Sequence, residues 1–333
     1  MVNNFALAFY GGALIALSSS LNYVFYGKIT GLSGILNVVV GLRFRFEYFE
    51  RLGFLVGLIS AIDTWVSMNG SDFEGRPIVS SNDNLNTIGW IIGGIMIGIG
   101  SRWSGGCTSG HGVCGLPRFS LKSFIAICIF MPVGMATSTY LSSMPLFFNP
   151  TPLSSSLIST YKNFASISLK VLQALVLMSI FYYIVTKRGI EKVSVLSQTI
   201  FGWIFGMGLL ISGMCSRDNI LAFLTISVKW DPSLIIVMFT AIFINLVTFQ
   251  GIIYNGQSLL GKRLAMPDNR MDIGNFIGPV MFGMGWGITG LCPGPALANF
   301  TVNPNCLLLV VATFVGQSIV DAGYDYSAKL KKN

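Results

Sequence analysis

Long uninterrupted apolar runs constrain this chain more than any other feature of its sequence. A membrane-spanning helix needs about 20 consecutive apolar residues, whereas a membrane barrel strand needs about 10 with alternating polarity. Only 10% of the 333 residues are charged, against roughly 25% in a soluble domain. We therefore predict an all-α polytopic membrane protein with about nine transmembrane helices. The predicted spans are 5–25, 52–68, 86–100, 119–141, 169–185, 197–213, 233–254, 273–289 and 305–320.

The basic residues predict how the chain is oriented in the bilayer. The net charge is +8, which in a soluble protein would suggest a nucleic-acid partner. In a membrane protein the positive-inside rule explains the same excess, so no nucleic-acid partner is expected. Most Lys and Arg residues fall on one side of the predicted spans, among them Arg102, Arg118, Lys122, Lys262 and Arg263. This bias predicts a multi-pass protein of the plasma membrane with a cytoplasmic C-terminus and an external N-terminus.

Four glycine-rich stretches interrupt the apolar pattern, near 27–41, 104–118, 213–228 and 290–302. The second reads SGGCTSGHGVCGLPR and the fourth begins GLCPGPALANF. A broken helix at membrane depth is tolerated only where its backbone is buried in protein or faces a watery cavity. We therefore expect four broken or re-entrant segments that meet at a central pathway.

The order of helices and breaks is repeated along the chain, with one extra helix at 169–185 between the copies. An odd helix between two copies inverts the second copy, and inverted repeats build transporters whose site lies near the midplane. The predicted organisation is a first membrane half at 1–148 and a second at 193–323. A linker with one connecting helix at 149–192 joins them, and a basic cytoplasmic tail follows at 324–333.

Small and polar residues in the breaks predict an anion pathway. Glycines allow backbone N–H groups to approach a ligand, and hydroxyl and thiol groups add donors. This lining suits a small oxyanion, particularly one that carries sulfur. The candidate transport residues are Gly105, Gly106, Cys107, Thr108, Ser109, His111, Cys215, Gly290, Cys292 and Gly294.

Several of these residues have alternative interpretations. Cys107, His111 and Cys114 are three possible metal ligands, but a fourth ligand with regular spacing is absent, so no metal site is predicted. His111 is also typical of a structural hydrogen-bonding residue. Arg217 and Asp218 form either an outer vestibule that attracts anions or a solvated surface pair. Two further cysteines, Cys128 and Cys306, are expected to be packed as small hydrophobic residues.

Enzyme chemistry has little support in the sequence. There is no nucleotide-binding loop, no serine or cysteine triad signature and no carboxylate pair suited to hydrolysis. We therefore predict neither an enzyme nor a cofactor.

The stretch GGCTSGHGVCGLPRFSLKS resembles the signature of the YeeE/YedE sulfur-transport family, and SGMCSRDNILAFL with GMGWGITGLCPGPAL resembles its half-length partner proteins. The chain thus resembles a fusion of two half-length members. The resemblance implies thiosulfate uptake, with Cys107 and Cys292 as the central pair of a cysteine relay. Longer members carry another cysteine in the first broken segment, which reads GKITGLSG here, so Cys215 is the candidate replacement. Soluble sulfurtransferases accompany the family and are possible partners.

Two other functions stay open at this point. One is a membrane thiol protein that transfers sulfane sulfur through a persulfide on Cys107 or Cys292. The other is a structural or sensory membrane module without solute flux.

Overall fold

The computed structural model describes residues 2–40, 46–70, 72–73, 76–77, 85–141, 155–186, 191–228, 230–268 and 270–330. The predicted linker and basic tail lie partly outside these residues, as does most of the loop between the second and third predicted spans.

Helices account for nearly all of the regular structure. In the first part of the chain they are α1 (Val2–Tyr26), α2 (Leu32–Val40), α3 (Phe46–Asn69), α4 (Thr87–Ser104) and α5 (Leu121–Leu141). A π-helix, Ser109–Gly115, and a 3-10 turn, Leu116–Arg118, join α4 to α5. The later helices are α6 (Ser155–Thr186), α7 (Glu191–Ile211), α8 (Arg217–Leu224), α9 (Ser233–Asn255), α10 (Gly274–Thr289), α11 (Pro293–Asn299) and α12 (Pro304–Leu330). Two short strands, β1 (Asp72–Phe73) and β2 (Arg76–Pro77), pair antiparallel.

The described helices confirm a polytopic all-α membrane protein. Seven of them, α1, α3, α5, α6, α7, α9 and α12, are long and apolar enough to cross a bilayer. An eighth span is formed if α10 and α11, bent by 40° at a short break, are taken together. Helix α4 is glycine-rich and carries Arg102 in its last turn, and it is not among the seven. The predicted number of nine crossings stays a prediction, as does the inverted symmetry.

Glycines allow the central helices to pack backbone against backbone. A Cβ atom on Gly98 of α4 would lie 2.1 Å from the carbonyl oxygen of Thr313 on α12. On α7, a Cβ atom on Gly202 would lie 1.9 Å from the carbonyl oxygen of Phe54 on α3. Such contacts are typical of small-residue packing in membranes. Gly94 of α4 and Gly206 of α7 pack in the same way, since a Cβ atom would lie 2.6 Å from Ala312 Cβ at Gly94 and 2.6 Å from the Leu58 carbonyl oxygen at Gly206.

Four long helices end in the same way, and these ends coincide with the predicted breaks. Helices α1, α4, α7 and α10 are each followed by a glycine with positive φ, namely Gly27, Gly105, Gly213 and Gly290. The left-handed conformation strongly favours glycine and stops a helix. Two residues after these glycines stand Ile29, Cys107, Cys215 and Cys292 respectively. A short helical segment begins shortly after each, so three cysteines occupy the same position relative to a glycine with positive φ.

Candidate functional site

A small cavity of about 40 Å³ lies where the second and fourth broken segments meet. We call it the thiol cavity because Cys107 and Cys292 both line it. Thr108 and Ser109 also contribute to its wall, as do Gly294 and the adjoining Pro295. Most of the remaining lining is apolar and comes from α1, α2, α7, α9 and α10. The few polar groups of this cavity therefore face one another in apolar surroundings.

Both thiols of this cavity are buried and hydrogen-bonded. The Thr108 hydroxyl donates to Cys292 Sγ across 3.2 Å, and Cys107 Sγ lies 3.2 Å from Ser109 Oγ. Cys107 and Cys292 are 2% and 3% exposed. The structure thus brings together four of the residues singled out in the sequence, from segments far apart in the chain.

The first broken segment reaches the same cavity through α2. The backbone N–H of Leu32 donates to Ser109 Oγ at 3.4 Å, and Leu32 itself lines the thiol cavity. Gly294 packs against this residue, because a Cβ atom at Gly294 would lie 2.3 Å from Leu32 Cδ1. Close packing of these two residues therefore helps to set the width of the cavity.

Trp286 is a lining residue that sequence reasoning missed. Its side chain is 1% exposed, and its indole Nε1 has no hydrogen-bond partner among the described residues. A buried N–H without a partner is uncommon and calls for an explanation such as a bound water or ligand. A tryptophan within the glycine-rich helix sequence GMGWGITG was the signal available in the sequence.

A larger cavity of about 470 Å³ is lined by the other predicted residues of the second broken segment. We call it the polar cavity. Gly105, Gly106 and His111 line it, whereas Cys107, Thr108 and Ser109 line the thiol cavity. Consecutive residues of one segment therefore contribute to two different cavities, and the segment forms part of both walls.

His111 has a hydrogen-bonding role on one side of its ring. Nδ1 lies 3.0 Å from Ser123 Oγ at the start of α5, while Nε2 has no partner among the described residues. The ring packs against Gly106, since a Cβ atom there would lie 3.1 Å from Nε2. The structural interpretation of His111 accounts for Nδ1 and leaves Nε2 unexplained.

Cys215 lies apart from the thiol cavity. It is buried, and its carbonyl oxygen accepts a 2.7 Å hydrogen bond from Asn299 Nδ2 on α11. Neither Cys215 nor Gly290 belongs to the linings of the two cavities described above. The neighbouring Met214 does line the thiol cavity.

Arg217 is not part of a solvated surface pair, so that alternative is wrong. The side chain is 3% exposed, its Nε donates to the Thr289 carbonyl at 2.8 Å, and its guanidinium lies 5.8 Å from the ring centre of Trp90. Arg217 and Leu221 of the short helix α8 lie against Gly290 at the end of α10. Only Asp218 of the pair is exposed.

The remaining cysteines differ from one another in environment. Cys114 is buried, with Sγ 3.7 Å from the Thr30 carbonyl oxygen, and Cys306 is buried as expected. Cys128 is exposed on α5, so its assignment as a packed residue was wrong. Within the described part of the chain, no three His, Cys, Asp or Glu residues are grouped as metal ligands.

Asn245 on α9 anchors the second broken segment and was also missed. It is fully buried, and its Nδ2 donates to the Val113 carbonyl at 2.7 Å and to Ser19 Oγ at 2.8 Å. Its Oδ1 accepts from Ser20 Oγ at 2.7 Å. A polar residue inside a predicted span is a functional candidate by default, and Asn245 carried that signal in the sequence.

Comparisons with known proteins agree with these features. Residues 8–137 match the model of the sulphur transport family. Residues 193–331 match a family of unknown function, DUF6691. A probable transporter of Xylella fastidiosa strain 9a5c is 34% identical over 131 residues, which are 39% of this chain and 90% of the relative. A probable transporter of strain Temecula1 is 36% identical over 124 residues, 36% of this chain and 82% of the relative.

Each of these relatives is matched over most of its own length but over less than half of this chain. Together with the two successive family matches, this is consistent with a fusion of two half-length members. The described helices are those of a multi-pass membrane protein. The chain therefore belongs to the sulphur transport family and is a membrane transporter.

Proposed function

We propose that this transporter takes up thiosulfate, or a closely related small sulfur-containing anion, through a pathway lined by cysteines. The observation that carries the proposal is the hydrogen bond from Thr108 to Cys292 Sγ. It joins two broken segments at one cavity, which Cys107 also lines. This arrangement fits a constriction that an anion passes between two thiols.

The chemistry of the thiol cavity suits such an anion. A thiol is a weak donor and acceptor, so it exchanges a hydrogen bond with Thr108 or Ser109 for one with a sulfur or oxygen atom of the anion. Apolar surroundings strengthen these polar contacts. Weak binding at several sites permits passage, whereas one strong site would trap the ion.

The proposed route begins near Cys215 and the buried cation Arg217, continues past Cys292 and Cys107, and ends in the polar cavity. The distribution of basic residues predicts that the N-terminus lies outside the plasma membrane and the C-terminus in the cytoplasm. The polar cavity then opens toward the cytoplasm, where a soluble sulfurtransferase is a possible acceptor of the anion.

Uptake of labelled thiosulfate into proteoliposomes tests the proposal. We expect saturable uptake by the wild-type protein and its loss in Cys107→Ala and Cys292→Ala. Matched controls are Cys306→Ala, which removes a buried thiol on α12, and Cys128→Ala, which removes an exposed one on α5. Both controls should transport normally, since neither residue lines the thiol cavity.

Undiminished uptake in both Cys107→Ala and Cys292→Ala, with folding intact, would contradict the cysteine pathway. The alternative of sulfane-sulfur transfer requires a persulfide on one of these residues. Intact-mass spectrometry after turnover separates the two functions, because a conduit stays unmodified and a sulfur carrier gains the mass of one sulfur atom.

A further inference from the structure

The polar cavity is large enough for a hydrated ion. Its volume is about 470 Å³, against roughly 30 Å³ for one water molecule in the liquid. It shares the segment 105–111 with the thiol cavity, so an anion that passes Cys107 meets it next. A small oxyanion with part of its hydration shell fits this volume.

The inner wall of this cavity carries an excess of positive charge. Lys28 is neutralised because it forms an ion pair with Glu50. Arg51 Nη1 donates to the Gly34 carbonyl at 2.9 Å, and Arg118 Nε donates to the Cys114 carbonyl at 2.8 Å. These partners are neutral carbonyl groups, and neither guanidinium group forms an ion pair within the described residues.

The other acidic side chains of the lining are exposed. They are Glu47 and Asp268, and Asp268 lies 3.7 Å from Arg270. Acidic groups in water are screened by solvent and salt. The buried part of the cavity therefore favours an anion.

Two donors on this wall lie next to the thiol cavity. Lys122 lies over Gly105, since a Cβ atom there would be 3.5 Å from Lys122 Nζ. His111 lies over Gly106 in the same way, with Nε2 buried and without a partner among the described residues. Lys122 forms no ion pair within the described part of the chain. Both side chains flank the two glycines that immediately precede Cys107.

We propose that the polar cavity is a second anion-binding site, in which Lys122 Nζ and His111 Nε2 hold a small divalent oxyanion. The Ser123 hydroxyl can donate to His111 Nδ1, and this tautomer leaves the ring proton on Nε2, where it serves as a donor. The inference rests on the proposed function for its substrate and deepens it. The site receives the anion on the far side of the cysteines and is independent of the thiols.

Equilibrium binding of labelled sulfate and labelled thiosulfate to the purified full-length protein tests this site. Lys122→Gln removes one charge-assisted contact and should weaken binding of both anions about tenfold. The matched control is Lys262→Gln, because Lys262 is exposed and does not line the cavity. This control should bind like the wild type.

Removal of Nε2 is tested separately. In His111→Asn, the amide oxygen can stand near the position of Nδ1 and accept from the Ser123 hydroxyl, so contact with Ser123 is kept while Nε2 is lost. We expect several-fold weaker binding with an unchanged melting temperature. The double variant Cys107→Ala/Cys292→Ala should retain sulfate binding, since the site does not use the thiols.

Equal dissociation constants for wild type, Lys122→Gln and His111→Asn would overturn the site. The same conclusion follows if binding disappears in the double cysteine variant but persists in Lys122→Gln. Sulfate binding that depends on Lys122 in a protein without thiosulfate flux would uphold the site and overturn the proposed function, so the two failures are distinguishable.

Discussion

The hydroxyl of Thr108 donates a hydrogen bond to Cys292 Sγ, linking residues 184 positions apart in the sequence across 3.2 Å. Thr108 directly follows Cys107, and Cys292 directly precedes α11. One contact therefore joins Cys292 to the residue that follows Cys107, and both thiols line the same cavity.

Thr108→Val tests this contact with little change in shape. One hydrogen bond contributes about 0.5–1.5 kcal/mol net, which corresponds to about two- to tenfold in rate or affinity. We expect thiosulfate uptake to fall by that factor because Cys292 loses its orienting donor. The measurement is initial uptake rate in proteoliposomes at several concentrations.

Thr248→Val is a suitable control for this substitution. Thr248 Oγ1 donates within α9 to the Ile244 carbonyl, and Thr248 lines neither the thiol cavity nor the polar cavity. Wild-type uptake by Thr108→Val would show that Cys292 needs no orienting hydroxyl.

Gly290→Ala should destabilise the protein through both backbone and packing. Gly290 has φ of +65°, and a Cβ atom there would lie 2.8 Å from Leu221 Cγ. The left-handed conformation costs an alanine about 1–2 kcal/mol. The reference is Gly256→Ala, since Gly256 also ends a helix with positive φ but has open space at its Cβ position. Thermal unfolding in detergent should show a larger loss for Gly290→Ala, and equal losses would exclude the packing contribution.

Asn245→Ala should loosen the second broken segment. The substitution leaves the Val113 carbonyl and the Ser20 hydroxyl without their buried partner, which costs about 1–3 kcal/mol for an unsatisfied group. We expect a lower melting temperature together with slower uptake. Asn255→Ala on the same helix removes an exposed side chain and should change neither property. A normal melting temperature for Asn245→Ala would argue against the anchoring role.

Gly294→Ala should narrow the thiol cavity. The new methyl group would lie 2.3 Å from Leu32 Cδ1, so Leu32 must move, and both residues line the cavity. We expect reduced uptake by a protein that still folds, because the end of a leucine side chain is able to shift. Gly251→Ala has open space around its Cβ position and should transport normally. Equal uptake by both variants would show that this part of the wall does not limit passage.

Helix content, membrane location and the positions of the breaks were predictable from the sequence for local reasons. Apolar runs of spanning length and the near absence of charge leave few alternatives to membrane helices. Helices end at four glycines because glycine adopts the left-handed backbone conformation at a lower free-energy cost than other residues. This preference depends only on the local sequence. The four residues are Gly27, Gly105, Gly213 and Gly290. The pairing of Cys107 and Cys292 was expected from the resemblance of their segments to a known family.

The tertiary structure decided which side of each segment faces which cavity. Nothing in the order GGCTSGH indicates that the glycines and His111 line the polar cavity while Cys107 lines the thiol cavity. That division depends on contacts with α2, α5 and α9, which are distant in the sequence. The burial of Arg217 against Trp90 and the anchoring by Asn245 likewise depend on neighbouring helices. Local pattern determines where a helix ends, and only the packing of other helices determines what its end faces.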